Sequence, residues 1–212
     1  MERRNEYSGS LTREQFLFYE ARSVAQLIET GKTRDEILSI IRNDNIFQFP
    51  TERMVTSIFN TCIKRIELLN SNALVQMLAE APADEAKLVN LYAMMRYNRV
   101  VWDFMITVVG EKYRTQDYHL SQSDLNLFVM RLQEQNDQVA AWGESTVKKI
   151  KQVLRRCLVE CGYLSSSKTD QLNLVFPSDT LIQAIKENRD NDALAAFNTF
   201  VVYQRRIECQ IY

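Results

Sequence analysis

The sequence predicts an all-α globular protein with two helix-turn-helix-like elements, the second with a short β-ribbon as its wing. Three observations carry this. Apolar residues recur with a period near 3.6 over most of the chain. Only 5 Gly and 3 Pro occur in 212 residues, few for a sheet-rich fold that needs many tight turns. The 46% apolar and 25% charged content is that of an ordinary globular protein in which helix-compatible residues dominate. The pattern divides into N-terminal helices over 1–70, a central core over 71–118, a C-terminal helix-turn-helix-like segment over 119–177, and final helices with a tail over 178–212.

The first helix is expected over Leu11 to Thr30. Thr12 with Gln15 three residues on reads as a capping box, and Gly31 is placed to end the helix. Its apolar positions are Phe16, Tyr19, Ala21, Val24, Leu27 and Ile28. Thr33 caps a short helix, TRDEILSIIRND, with Glu36 again three residues later. After the link NIFQFP, Thr51 opens a third helix to about Leu69. Met54, Val55, Ile58, Cys62, Ile63, Ile66 and Leu69 fall on one side of it, and Arg53, Ser57, Asn60 and Lys64 on the other. Long helix, short helix, link and long amphipathic helix is the order of a helix-turn-helix, although any three-helix bundle reads similarly.

The middle segment, Ser71 to Arg114, is helical and strongly apolar. Pro82 stands at a helix start with Asp84 and Glu85 in the first turn, where acids favour the helix dipole. The pattern then runs to Gly110, and Tyr92, Met95, Trp102, Phe104 and Met105 make it the expected central core. Arg99 and Asp103, four apart, read as an ion pair. Next, SQSDLNLFVMRLQEQ has Ser121 as cap, NDQVAAWG forms a short second helix, and LNLVF (172–176) is the best strand candidate in the chain. Helix is expected again over Asp179 to Asn188 and about Asn191 to Phe200, while the tail VVYQRRIECQIY has no clear period.

The stretch with most to say about function is ESTVKKIKQVLRRCLVECGYL, from Glu144 to Leu164. Val147, Ile150, Leu154, Leu158 and Cys161 fall on one side of a helix that Gly162 ends. Ser145, Lys148, Lys149, Gln152, Arg155 and Arg156 fall within roughly a third of the circumference on the other. Five of the nine residues from Lys148 to Arg156 are Lys or Arg, while the chain as a whole carries a net charge of -1. An ordinary solvated face mixes signs and gains from acid–base pairs four apart, but here the only nearby acids, Glu144 and Glu160, stand at the ends. Crowded like charges cost free energy that a polyanion would offset, so the face is either a nucleic-acid footprint or a dock for an acidic partner.

Catalytic signatures are missing. There is one histidine, His119, in a polar link and expected to face solvent, and the glycines never cluster into a phosphate-cradling loop. No cofactor or metal site is expected. Cys157 and Cys161 share the apolar face of one helix without a second ligand pair, so packing explains them better than metal binding. Four cysteines without an N-terminal apolar leader point to reduced thiols in a cytoplasm. The longest apolar stretch, Val100 to Val109, is far short of the roughly 20 residues a membrane helix needs.

EARSVAQLI, NIFQFPTERM, DEAKLVNLYAMMRYNRVVWDFM, VGEKYRTQD and LQEQNDQVAAWGESTVKKIKQVLRRCLVECGYL together resemble the BrxA family, a small core component of bacterial BREX phage-exclusion systems. The likeness runs from about Leu11 to Phe200, and the tail after Phe200 departs from it. It implies an all-helical cytoplasmic protein with helix-turn-helix elements and affinity for DNA, working where other gene products methylate host DNA and block phage replication. No family motif assigns single DNA contacts, so the site residues rest on helix faces alone. The expectation is a non-enzymatic binder of double-stranded DNA with weak sequence selectivity. Lys148, Lys149, Arg155 and Arg156 would take phosphates with Ser145 and Gln152 hydrogen-bonding alongside, and Arg53, Ser57, Asn60 and Lys64 would play the corresponding part on the N-terminal helix. All six of these cations are expected to face solvent. The alternative is an adaptor that docks other BREX proteins through its basic face.

Overall fold

The computed structural model describes residues 6–200, and the tail VVYQRRIECQIY lies outside them. Eleven α-helices and no sheet are found among the described residues. The helix expected from Leu11 is two pieces. Gly9–Thr12 is a single 3-10 turn in which the Thr12 hydroxyl donates to the Gly9 carbonyl (3.0 Å) instead of capping a helix. The regular helix, α1 (Phe18–Glu29), begins only after Leu17, whose φ of 51° is left-handed. The cause lies elsewhere in the chain. The fully buried Arg65 donates to the carbonyls of Glu14, Gln15 and Phe16, and Asn90 adds a second donor to Phe16 (2.8 Å). Three successive carbonyls turned to one guanidinium cannot also point along a helix axis.

α2 (Arg34–Asn43) carries the expected capping box between Thr33 and Glu36. α3 (Glu52–Glu67) starts at Thr51, whose hydroxyl accepts from Met54 N. Val55, Ile58, Phe59, Cys62, Ile63 and Ile66 are buried on its inner side, whereas Met54, expected inside, is 43% exposed, and so is Tyr19 of α1 at 75%. α4 (Asn72–Glu80) packs on α1, and α5 (Ala83–Tyr97) threads the centre with both flanks apolar.

α5 ends at Asn98, whose side-chain carbonyl caps the next piece, α6 (Arg99–Phe104), by accepting from Val100 N (3.0 Å). A π turn, Met105–Gly110, and α7 (Glu111–Arg114) follow. The long uninterrupted helix suggested by the sequence is thus broken once and widened once. Gly110 is needed in the widened turn, since a Cβ there would meet Ala195 Cβ at 3.1 Å and the Ala196 N at 3.2 Å. The Arg99–Asp103 pair forms as expected (3.4 Å), and Tyr7 donates to the same carboxylate (2.6 Å).

α8 (Gln122–Gln135) has a capping box between Ser121 and Asp124, α9 (Asp137–Ala140) is one turn, and α10 (Glu144–Glu160) is the basic helix, ended by Gly162 at φ 77°. Among the described residues no strand follows it. The expected ribbon is a single antiparallel bridge between His119 and Gln171, with Leu120 N on Asp170 O and Leu172 N on Tyr118 O, both 2.7 Å. A ribbon needs alternate residues to face the core. Here Leu172 and Val175, three apart, are buried while Leu174 and Phe176 point out, so the backbone twists away from regular pairing.

α11 (Asp179–Glu187) and a 3-10 segment, Asn191–Phe197, close the described chain. Asp190 between them accepts from buried Arg96 (2.6 Å) and from the Tyr92 hydroxyl (2.7 Å), which ties the C-terminal helices to α5. One continuous hydrophobic cluster runs through all these elements.

The three described thiols are buried in that cluster. Burial pushes the Cys62 and Cys157 thiols up to about 12, and Cys161 also well up. At neutral pH the reactive thiolate is therefore scarce as well as covered. In a Cys209→Ser background, a thiol-specific reagent should label almost nothing under native conditions and three thiols per chain in denaturant. Rapid native labelling of any of the three would show the packing to be looser than described.

Candidate nucleic-acid interface

α10 is built by its apolar side. Ile150, Val153, Leu154, Cys157 and Leu158 are buried in the core, which leaves the opposite side of the helix to solvent. Ser145, Lys148, Lys149, Gln152 and Arg156 are exposed there, as the helical spacing requires. Lys148 and Lys149 make no ion pair among the described residues. Lys151, at one margin of the face, is half-buried and donates to Asn126 of α8 (2.8 Å).

Arg155 does not behave as expected. Its side chain is only 13% exposed, in an ion pair with Asp170, and it donates to the carbonyls of Ser167 (2.8 Å) and Thr169 (2.6 Å). It belongs to the wall of the face and not to its open surface. Arg156, the next residue, is 64% exposed and loosely held, 3.6 Å from Glu160 and 3.5 Å from Gln15 Oε1.

On α3, Arg53, Ser57 and Lys64 are exposed. Asn60 is half-buried, and its side-chain carbonyl accepts from Arg34 of α2 (2.7 Å). Arg34 is thereby placed beside this stripe, which the face of a single helix could not reveal. A groove lies between α3 and α10, and of the two stripes only Arg156 lines it; Arg53, Ser57, Asn60 and Lys64 lie outside its lining. A cavity of about 330 Å³ is lined by Met54 and Ile58 of α3, by Arg156 and Glu160 of α10, and by Arg13, Gln15 and Tyr19 between them. The irregular segment 13–17, held by Arg65, is what spaces the two helices. Arg13 was missed because it lay inside a stretch read as plain helix, and Tyr19 because helical spacing placed it among the apolar positions.

A larger cavity, about 540 Å³, opens between α6, α7 and α8. Most of its charges are paired, Arg99 with Asp103 and Lys112 with Asp117 (2.9 Å) and Asp124 (3.4 Å), while Arg131 in its lining makes no ion pair among the described residues. The Lys112 ammonium and the His119 amide hold the Asp117 carboxyl below its ordinary value. Burial raises Asp124, but hydrogen bonds from Ser121 and the Lys112 charge outweigh it and leave a net lowering. Among the described residues no group of three or more His, Cys, Asp or Glu stands together as metal ligands would. No described helix is long and apolar enough to cross a membrane.

The family model for BrxA matches residues 5–189. The chain belongs to the BrxA family. Its sequence is 30% identical to the BREX protein BrxA of Bacillus cereus over 162 residues, 76% of this chain and 80% of that protein. It is 24% identical to the BREX protein BrxA of Paramagnetospirillum magneticum over 81% of this chain and 85% of that one. To the BREX protein BrxA of Escherichia coli it is 25% identical over 74% of this chain and 73% of the relative. The fold of this BrxA-family chain is also similar to the crystal structure of an uncharacterized protein from Magnetospirillum magneticum. The TM-score is 0.76 at 22% identity, over 91% of this chain and 98% of that one, which is a likeness of fold alone.

Proposed function

We propose that this BrxA-family chain is a component of a BREX phage-defence system, where it binds double-stranded DNA and performs no chemistry of its own. The observation that carries the reading is the open face of α10. Lys148, Lys149 and Arg156 project from a rigid helix into solvent, in a chain whose net charge is -1. Local cation excess on an otherwise balanced surface is the footprint of a phosphate-binding surface. Arg53 and Lys64, exposed on α3, add to it. Ser145, Gln152, Ser57 and Asn60 supply hydrogen bonds beside these charges. Contacts of this kind set the position of a duplex without reading its bases, so sequence selectivity is weak.

Five exposed cations (Lys148, Lys149, Arg156, Arg53 and Lys64) should release about five counterions' worth of phosphate charge. Duplex affinity measured over a salt series should then fall with a log–log slope of about -4 to -5. A slope near zero would remove phosphate binding as the mechanism. A specific observation favours the second reading, an adaptor for other BREX proteins: Tyr19 and Met54 are 75% and 43% exposed at the groove that Arg156 also lines. Exposed apolar groups beside charge are usual at protein interfaces. Tight, salt-insensitive capture of another subunit from cells expressing the whole gene cluster, with no duplex binding, would establish that reading in place of the first.

A further inference from the structure

We propose that Arg155 is a positioning residue, and that the loop it pins, 165–169, brings Lys168 to the edge of α10 as a further phosphate ligand. The inference rests on the DNA-binding reading above and names residues that complete the same surface. Arg155 projects from the same edge of α10 as Lys148 and Lys151, seven and four residues before it. Its guanidinium is a planar fork of five donors, and its Nε and Nη2 are committed to Ser167 O and Thr169 O at 2.8 and 2.6 Å. Nη2 also pairs with Asp170, at the end of the same loop.

The loop is built to be rigid without regular structure. Ser166 N donates to Thr169 Oγ1 (3.2 Å), the Thr169 hydroxyl returns to Ser166 O (3.0 Å), and Lys168 N donates to Ser166 Oγ (3.2 Å). Asn173 ties the loop's stem, donating to Gly162 O (2.9 Å) and Ser165 Oγ (3.3 Å). What this turn holds outward is Ser165, Ser167 and Lys168, all exposed, and Lys168 makes no ion pair among the described residues. The nearest acid in the chain, Asp170, is neutralised by Arg155. One arginine therefore does two things for the surface: it fixes a free cation beside the α10 face and cancels the charge that would oppose a phosphate there. A pinned loop takes the place that a paired ribbon would have filled.

The test is a double-mutant cycle on duplex binding over a salt series, with Lys168→Ala, Arg155→Lys, Arg155→Ala and Arg155→Ala/Lys168→Ala beside the parent. Loss of one phosphate contact should flatten the slope by about one unit in Lys168→Ala and weaken binding about 5- to 10-fold at 0.1 M salt. Arg155→Lys keeps the charge but not the fork, so it should lose the same unit, and amide exchange of Lys168 and Thr169 should speed up in it. The double variant should lose no more than Arg155→Ala alone, because the first change has already removed the Lys168 contact. Lys168→Ala at the parental slope, parental behaviour of Arg155→Lys, or a double variant losing about one unit more than Arg155→Ala would each overturn the proposal. Lys168 is on an exposed turn, so its substitution tests the idea even if the Arg155 variants fold poorly. A parent without salt-dependent duplex binding would overturn the DNA reading itself, and this one with it.

Discussion

Reversing Lys148, Lys149 and Arg156 to Glu is expected to abolish detectable duplex binding while the chain stays helical. Each reversal removes a cation and adds an anion, so the α10 face changes by six charge units in a chain that starts at -1. Phosphate contacts supply nearly all of the affinity of a binder that does not read bases, so the cations that remain, Arg53, Lys64 and Lys168, would not hold a duplex against three new anions. All three side chains are exposed, and none anchors another segment by a short hydrogen bond; surface changes of that kind shift stability little. Arg155 stays unchanged in this variant. A glutamate there would face Asp170 and abandon the carbonyls of Ser167 and Thr169, which would confound loss of binding with loss of the loop. Arg53→Ala with Lys64→Ala should weaken binding by a smaller factor and flatten the salt slope by about two units. If the triple variant is folded by circular dichroism and binds duplex like the parent, the α10 face is only a solvated surface.

Arg65→Ala should lower the melting temperature more than any surface substitution. Arg65 is 1% exposed and satisfies three main-chain carbonyls; Asn90 also serves Phe16, so removing Arg65 leaves the carbonyls of Glu14 and Gln15 without that donor. Losing those bonds and leaving a cavity the size of an arginine side chain costs about 3–5 kcal/mol. For a chain of this size that is a fall of roughly 6–20 °C in Tm. Arg65→Lys should recover only part of it, since a point ammonium cannot reach three carbonyls as the planar fork does. Because segment 13–17 also spaces α3 from α10, proteolysis near Arg13 should rise in the same variant. A Tm within about 2 °C of the parent would mean that the strut is not what orders this segment.

Helix was legible wherever the reason for it is local. The boxes at Thr33/Glu36 and Ser121/Asp124, the Thr51 cap and the Gly162 stop all involve groups within a few residues of each other, so a single sequence contains the whole interaction. The same holds for the open face of α10, where exposure at Lys148, Lys149 and Arg156 follows from helical geometry once Ile150, Leu154 and Leu158 are buried. Two of the misreadings share one feature: the Thr12/Gln15 box and the free Arg155 were each settled by a partner outside the helix as read, Arg65 for the first and residues 167–170 for the second. Met54 and the stretch 172–176 departed in which residues are buried.

By itself the sequence determined that this chain is helical, where most helices begin, and that one of them carries a basic face, because periodicity and capping are properties of neighbouring residues. Only the tertiary structure decided which of the basic residues are free. Arg65 and Arg155 have the same side chain as Arg156, but one is surrounded by backbone carbonyls and another by a loop and a carboxylate, while the third meets water. A guanidinium goes to whatever acceptors the fold places within its reach, and that placement is set by contacts between residues distant in the chain, 51 apart for Arg65 and Glu14 and 94 apart for Arg96 and Asp190.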